Sequence, residues 1–215
     1  MTHQDGRIYL ASRSPRRREL LKQIGIAFEV LLMRESPRRG PDVGEAPLAG
    51  EAPAAYVTRI AQAKAEMGWR QLVRRSLPLS PVLAADTSVV LDDEIIGKPD
   101  TAEHARQLLR RLSGQTHQVL TAIAVARREH IDTALSTSAV EFRELGDDEI
   151  RRYIASGEPL DKAGAYAIQG RAAVFVRAIT GSYSGIMGLP LFETAELLRR
   201  LDITPVCPPL PARPA

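Results

Sequence analysis

The sequence has little that would suit a secreted, membrane-bound or metal-cluster protein. Its 215 residues include a single cysteine, which leaves no disulfide framework and no zinc cluster. The N-terminal stretch lacks the apolar core of a signal peptide, and no apolar run approaches the roughly 18 residues that a membrane span requires. We therefore expect a cytoplasmic protein in a reducing compartment, without a membrane partner.

Aromatic residues and lysines are also scarce. A net charge of +3 could suggest nucleic acid as a partner, but the arginines are scattered among acidic neighbours and aromatic residues make up only 5% of the chain, too few for a base-stacking platform. Nucleic acid is therefore not an expected partner. Lysine occurs only at Lys22, Lys64, Lys98 and Lys162. In so arginine-rich a chain, a retained lysine favours a place that needs a compact ammonium, although chance retention explains any one of them equally well.

The remaining composition is that of a globular chain, with 44% hydrophobic and 26% charged residues. Strand patterns alternate with helical ones, which predicts an α/β fold with a mixed sheet flanked by helices. We expect one domain, residues 1–204, with two lobes. A proline-rich tail, residues 205–215, is expected to be disordered and carries Cys207.

The first helix has an unusual charge order. In "LASRSPRRREL", Ser14 is an N-cap and Pro15 the first helical residue, so Arg16, Arg17 and Arg18 fall in the first turn, where the helix dipole already disfavours cations. The helices predicted over 101–112 and 147–156 have acids first and arginines last, as the dipole favours. The exception indicates a bound anion such as phosphate, the alternative being a solvated basic patch.

Further elements follow along the chain. We predict strands over 28–32, 116–126 and 135–145, a strand with an acidic turn and a return strand over 81–99, a long loop over 34–53, and helices over 54–73 and 191–201. In the helix over 54–73, the spacing predicts that Tyr56, Ile60, Ala63 and Met67 face the core.

Asp86 is the only ionisable residue of the apolar strand "VLAADTSVVL". A buried carboxylate needs a cation or a shifted pKa, and Lys98 is a candidate partner. Alternatively, Asp86 hydrogen-bonds a turn at the strand end. Glu45, with Glu35 or Asp42 upstream, could join it in holding Mg²⁺ or Mn²⁺, since these metals use one or two carboxylates together with substrate phosphates. The four histidines have no metal spacing and are assigned to surface or packing roles.

The glycine-rich stretch "DKAGAYAIQG" contains Lys162 and Gln169. Its glycines allow backbone to approach a ligand closely. The glutamine amide, with one acceptor and two donors, suits the imide edge of uracil or thymine. A tight turn with a solvent-facing amide is the alternative. No Walker, GxGxxG or GxSxG motif occurs, which disfavours P-loop, Rossmann and hydrolase-elbow enzymes.

Taken in order, six stretches resemble the Maf family of nucleoside triphosphate pyrophosphatases, and within it the branch that hydrolyses dTTP and UTP. They are "LASRSPRRRELL", "YVTRIAQAKA", "LAADTSVVLDDEIIGKP", "LSGQTHQVLTAIAV", "EPLDKAGAYAIQG" and "GSYSGIMGLPLFET", and the resemblance extends from about residue 7 to 201. It implies a two-lobed ITPase-like fold around a long curved sheet, a homodimer, and metal-dependent hydrolysis of a nucleoside triphosphate to monophosphate and pyrophosphate with Mg²⁺, Mn²⁺ or Co²⁺.

The resemblance also implies roles for individual residues. Asp86 is the expected catalytic carboxylate and metal ligand, Ser12, Arg16 and Arg17 form the phosphate-binding turn, and Arg16, Thr87 and Gln169 match positions tied to pyrimidine preference. Lys64 and Lys98 take catalytic positions and Lys162 a substrate-binding one.

Two departures and two alternatives accompany the resemblance. The usual acidic pair of the loop reads "DVGE", so Gly44 replaces one acid and the metal falls to Glu45, with Glu35 and Asp42 as alternatives; Gly185 stands where a bulkier residue is common. A sister branch acting on 7-methyl-GTP is one alternative, although it tends to carry an aromatic residue at the position of Arg16. A non-enzymatic, nucleic-acid-binding regulator of septum formation is the other.

Overall fold

The computed structural model describes residues 7–32, 35–36, 40–41 and 43–205, and for 35–36 and 40–41 it describes the backbone alone. The strands are β1 (Arg7–Leu10), β2 (Ala27–Val30), β3 (Glu35–Ser36), β4 (Gly40–Pro41), β5 (Val82–Leu91), β6 (Glu94–Ile96), β7 (Thr116–Arg127), β8 (His130–Phe142) and β9 (Val176–Thr180). The helices are α1 (Pro15–Gln23), α2 (Pro53–Arg74), α3 (Ala102–Leu112), α4 (Asp147–Ala155), α5 (Tyr183–Ile186) and α6 (Leu191–Arg199). Three 3₁₀ turns lie between 158 and 175.

Seven strands form one mixed sheet, in the order β2-β1-β5-β7-β8-β9 with β6 also paired to β5. The pairs of β1 with β2 and β5 are parallel, and the other pairs are antiparallel. Helices flank this sheet, so the predicted α/β class is confirmed. β3 and β4 pair with each other inside the segment predicted as a loop.

One edge of β5 is divided between two partner strands. β1 pairs with β5 as far as Leu83, and β6 pairs with it from Val89 onward. β7 covers the opposite edge of β5 along the whole of this stretch. Among the described strands, none pairs with residues 84–88 on the first edge, and we call this gap the notch. It exposes the middle of a central strand to side chains arriving from both faces of the sheet.

Three hydrophobic clusters pack on the sheet. α2 covers one face beside Val82 and Ala84, while α1 and α6 cover the other face beside Leu83 and Ala85. The third cluster gathers α3, α4 and the 3₁₀ turns around the far half of β5, from Val89 onward. The helices therefore converge on the notch from different sides.

The buried face of α2 differs from the predicted one. Tyr56 and Ile60 are buried as expected, but Ala63 and Met67 are only half-buried, and the buried stripe continues instead through Ala61, Ala65, Gly68 and Leu72. The segment is rich in alanine on every side, so apolar spacing does not single out one face. Packing decides it: a Cβ at Gly68 would lie 2.7 Å from Val82 Cγ1, so the helix presses its glycine against the sheet.

Other local predictions are confirmed by the structure. Ser14 caps α1 by accepting from the Arg17 backbone N–H at 3.4 Å, and Pro15 is the first helical residue. The acidic turn between β5 and β6 has both Asp92 and Asp93 at positive φ, as a two-residue hairpin loop requires. Within the seven-stranded sheet, β9 was not predicted. It is short, lies at the sheet edge and is largely exposed, so it has no buried alternation to identify it.

Two further predictions concern the tail over 205–215 and the membrane. Almost all of the tail over 205–215 lies outside the described residues, as does Cys207. Among the residues that are described, no helix has both the length and the apolar character that crossing a bilayer requires.

Candidate active site

Asp86 lies in the notch, on β5 opposite Ala122 of β7. It is 9% exposed, and its neighbours on both sides along the strand are buried or half-buried. The sequence predicts a buried carboxylate that needs a cation, and the structure provides one. Lys64 Nζ donates to Asp86 Oδ1 at 2.7 Å.

The partner of Asp86 is therefore Lys64 and not Lys98, the partner suggested from the sequence. Lys64 comes from the middle of α2, the helix that packs on the face of β5 where Asp86 lies. Lys98 is exposed, and within the described part of the chain it forms no hydrogen bond or ion pair. The sequence suggested Lys98 because it is near in the chain, whereas the helix packing brings Lys64 across 22 residues.

A second carboxylate shares the Lys64 ammonium. Glu45 Oε1 lies 2.7 Å from Lys64 Nζ, so one cation bridges the Glu45 and Asp86 side chains. Glu45 is 53% exposed at its side chain, against 12% for Asp86. The inner carboxylate is thus held in a desolvated position, and the outer one can reorient into water.

The loop that carries Glu45 is fastened to α2. Tyr56 donates its hydroxyl to the Glu45 backbone oxygen at 2.8 Å. Arg59 forms a bidentate ion pair with Glu51, at 2.6 and 2.7 Å, and also donates to the Ala46 carbonyl at 3.2 Å. The Arg59 guanidinium lowers the pKa of the Glu51 carboxyl to about 2. Two anchors thus flank Glu45 and hold it against the notch.

Arg17 reaches the notch from α1, on the other face of the sheet. Its Nε donates to the Gly188 carbonyl at 2.7 Å, and its terminal nitrogens donate to the hydroxyls of Ser12 at 3.3 Å and Thr87 at 3.2 Å. Burial lowers the pKa of Arg17, and the charges of Asp86 and Glu45 raise it. Three of its five N–H groups are used, which leaves two for a ligand.

Ser12 and Thr87 are held by the same network. Ser12 is 9% exposed, and its hydroxyl oxygen accepts from the Ser14 backbone N–H as well as from Arg17. Its own hydrogen has no acceptor among the described residues, so it is available to an anion. The Thr87 hydroxyl lies 3.0 Å from that of Thr121, which also donates to the Gly185 carbonyl at 2.8 Å.

Arg16, the preceding residue of α1, contacts the other predicted recognition residue. With its amide oriented so that the oxygen faces the guanidinium, Gln169 accepts hydrogen bonds from Arg16. The first turn of α1 therefore touches two groups at once: the notch through Arg17 and the glycine-rich segment through Arg16. The acceptor of Gln169 is used in this contact, and its two amide N–H groups remain as donors.

Lys162 is half-buried at the start of the same glycine-rich segment. Its ammonium donates to the Glu158 backbone oxygen at 2.9 Å and pairs with Asp161. Within this segment, the Gly164 N–H also donates to the carbonyl of Gly97, which directly precedes Lys98, at 3.0 Å. The segments that carry the two lysines are thus adjacent.

The donor set fits a hard divalent cation. Glu45 and Asp86 offer carboxylate oxygens, the ligands that Mg²⁺ and Mn²⁺ prefer, and they already share one cation, the Lys64 ammonium. No group of three or more metal-binding side chains occurs within the described ranges, so a metal here would complete its coordination with phosphate or water. Of the alternatives to Glu45, Asp42 and the side chain of Glu35 lie outside the described residues.

Several members of the site were not predicted. Thr121 orients Thr87, the Gly188 carbonyl holds Arg17, and Tyr56 holds the Glu45 loop. Thr121 is a fully buried polar residue within an apolar strand, and that pattern could have drawn attention to it. A contact to a backbone carbonyl cannot be predicted from residue types, because every residue has this group.

The chain belongs to the Maf family. The family model described as "Maf-like protein" matches residues 7–201, the span over which the sequence motifs predict the resemblance. The family prediction is thereby confirmed, and the residues of the notch and of the glycine-rich segment all lie within the matched span.

Curated relatives resemble the chain over nearly their whole length. A protein of Nitrosospira multiformis is 60% identical over 94% of this chain and 98% of its own, and one of Nitrosomonas europaea is 58% identical over 92% and 95%. A protein of Dechloromonas aromatica is 55% identical over 93% and 100%. Each is named a dTTP/UTP pyrophosphatase. Among solved structures, the Staphylococcus aureus Ham1 protein has 17% identity and a TM-score of 0.48, over 91% of this chain and 98% of that one.

Proposed function

We propose that this protein hydrolyses dTTP and UTP to the nucleoside monophosphate and pyrophosphate, with the notch as its active site. The observation that carries the proposal is the Lys64 ammonium bridging Asp86 and Glu45 beside the half-buried guanidinium of Arg17. A water-activating carboxylate next to fixed cations is what attack on a phosphate anhydride needs. The names of the relatives supply the substrates.

In the proposed reaction, Asp86 accepts a proton from a water molecule that attacks the α-phosphorus. The bond from that phosphorus to the oxygen bridging to the β-phosphorus breaks, and the electron pair leaves with pyrophosphate. Arg17 and Ser12 bind the phosphate oxygens with the hydrogens that their internal contacts leave available. A divalent metal held by Glu45 and Asp86 would supply further positive charge against the triphosphate. Lys98 and Lys162 are proposed to neutralise the departing pyrophosphate.

Base recognition is assigned to Arg16, Thr87 and Gln169. Because the Gln169 oxygen faces Arg16, the pair presents mainly N–H donors. Uracil and thymine carry a carbonyl at position 4, which accepts such bonds, whereas cytosine has an amino group there and would place donor against donor. The pair therefore favours UTP and dTTP over CTP.

A pyrophosphate-release assay tests the proposal. The chain should release pyrophosphate from dTTP and UTP in the presence of Mg²⁺, Mn²⁺ or Co²⁺, and chelation by EDTA should stop the reaction. CTP and 7-methyl-GTP are the comparison substrates. A preference for 7-methyl-GTP would move the protein to the sister branch. Binding of DNA or RNA with a steep salt dependence and no nucleotide turnover would overturn the enzymatic proposal.

Two further expectations are proposals: the homodimer, which the resemblance implies, and the cytoplasmic location, which the cysteine content and the N-terminal stretch indicate. Light scattering of the purified chain, at concentrations spanning those of the activity assay, tests the first. A particle mass near twice 23.5 kDa is expected. Fractionation of cells that express the protein tests the second.

A further inference from the structure

Glu158 joins the two ends of the glycine-rich segment. Both oxygens of its carboxylate accept from the Arg171 backbone N–H, at 3.0 and 3.1 Å, across 13 residues of chain. One of these oxygens also accepts from the Tyr153 hydroxyl at 3.0 Å. At its backbone, the Glu158 carbonyl accepts from Lys162 Nζ at 2.9 Å. Glu158 thus contacts Lys162 through its backbone and Arg171, two residues after Gln169, through its side chain.

Gly170 packs directly against the Glu158 carboxylate. A Cβ added at Gly170 would lie 2.3–2.6 Å from three atoms of the Glu158 side chain. The backbone of Gly170 has φ −103° and ψ −152°, which other residues can adopt, so the glycine is required for space and not for its conformation. Since Gln169 precedes Gly170 directly, the carboxylate sets where the Gln169 backbone runs.

We propose that Glu158 is a positioning residue for base recognition: its carboxylate closes the segment 158–171 and holds Gln169 against Arg16, so that their donors meet the pyrimidine carbonyl. The inference rests on the proposed function, since it concerns the selectivity of that same site. Glu158 acts through Gln169 and Lys162 and touches no reacting atom.

Two single variants disrupt the contact between the Glu158 carboxylate and the backbone of residues 170 and 171, one on each side of it. Glu158→Ala removes the carboxylate, and Gly170→Ala forces it out of its place. We expect each to lower kcat/KM for UTP by about tenfold to a hundredfold, the scale of a misplaced binding group, chiefly through KM. The ratio of kcat/KM for UTP over CTP should fall in both. Glu158→Gln keeps an acceptor oxygen for Arg171 and should recover part of the loss.

The double variant separates this contact from general damage. With the carboxylate absent there is room for the new methyl group, so Gly170→Ala should cost nothing further in the Glu158→Ala background. Glu149→Ala is the matched control, because Glu149 pairs with Arg143 through two hydrogen bonds and does not contact the recognition segment. It should lower thermal stability and leave the UTP/CTP ratio unchanged.

The outcomes distinguish the two proposals. Loss of selectivity in both single variants, without further loss in the double variant, supports the role of Glu158. An unchanged UTP/CTP ratio in both, with stability lowered as in Glu149→Ala, overturns it, and so do losses that multiply in the double variant. If the unmodified chain fails to release pyrophosphate from UTP, the proposed function itself fails, and this inference with it.

Discussion

The Lys64 ammonium lies 2.7 Å from Asp86 Oδ1, with the side chains of the two residues only 14% and 12% exposed. This ion pair crosses from the middle of α2 to the unpaired stretch of β5. In a place with little water, the Lys64 ammonium offsets part of the cost of burying the Asp86 carboxylate. The reaction assigned to the site depends on that carboxylate.

Replacing Asp86 by Asn should remove the base and leave the shape of the site. We expect kcat to fall about 10³-fold, within the range that general-base catalysis contributes. Pyrophosphate release from UTP measures the effect, and circular dichroism verifies the fold. Asp92→Asn is the matched control, since Asp92 lies exposed in the turn that follows the same strand and should be silent. Near-normal turnover by Asp86→Asn would remove Asp86 from the mechanism.

Replacing Lys64 by Met should destabilise the fold, because Asp86 then stays buried without its cation. The expected loss is about 3–5 kcal/mol of unfolding free energy, as for other buried ion pairs that lose one partner. Urea denaturation measures it. Lys22→Met, at an exposed lysine of α1, is the control and should change little. Adding Asp86→Asn to Lys64→Met should restore stability; a double variant less stable than Lys64→Met alone would speak against the pair.

Arg17→Lys keeps the charge but loses the planar fork that reaches Gly188, Ser12 and Thr87 together. We expect KM for dTTP and UTP to rise about tenfold, since the phosphate-binding turn loses its internal support. Steady-state kinetics measure this change. Arg74→Lys, at the exposed end of α2, serves as the control. If Arg17→Lys leaves KM unchanged, the guanidinium geometry is unimportant for binding.

His117 makes stability depend on pH. Its ring is 1% exposed, it contacts the Tyr166 hydroxyl at 2.9 Å, and burial lowers its pKa from 6.5 to about 4. The unfolded chain therefore binds a proton between these values when the folded one does not. The contribution of His117 to the free energy of unfolding is therefore fully present above pH 6.5. It is lost as the pH falls towards 4, by about 3 kcal/mol in all.

Thermal unfolding between pH 7 and pH 5 measures this dependence. The upper part of the range is the informative one, because the carboxylates with lowered pKa, such as Glu51 and Asp161, titrate further down. His117→Phe should flatten the profile, whereas His130→Gln should leave it intact, since the His130 side chain is 76% exposed. Equal slopes in the two variants would contradict the assignment to His117.

Local features of this fold could be predicted from the sequence. The cap of α1, the acidic turn at Asp92 and the alternation of buried residues along β8 from Ser136 onward each depend on residues near one another in the chain, and all are present. The edge strand β9 and the buried face of α2 could not, because exposure of the one and the alanine content of the other remove the periodic signal.

The candidate site likewise combines residues that could be predicted from the sequence with contacts that could not. Asp86 could be singled out as the charged residue of an apolar strand, but its partner could not, since only the packing of α2 brings Lys64 and not Lys98 to it. The motifs placed Arg16 and Gln169 in one recognition role, and the structure joins them. Contacts to backbone carbonyls, such as Arg17 with Gly188, depend on the fold alone.

Hydrolysis of UTP in ¹⁸O-labelled water tests the proposed reaction most directly. Attack on the α-phosphorus by a water that Asp86 deprotonates must place the label in UMP, and Asp86→Asn must lose this labelled product. Mass spectrometry of both products reads the result. Label found in pyrophosphate, or labelled UMP formed at an undiminished rate by Asp86→Asn, would contradict the account.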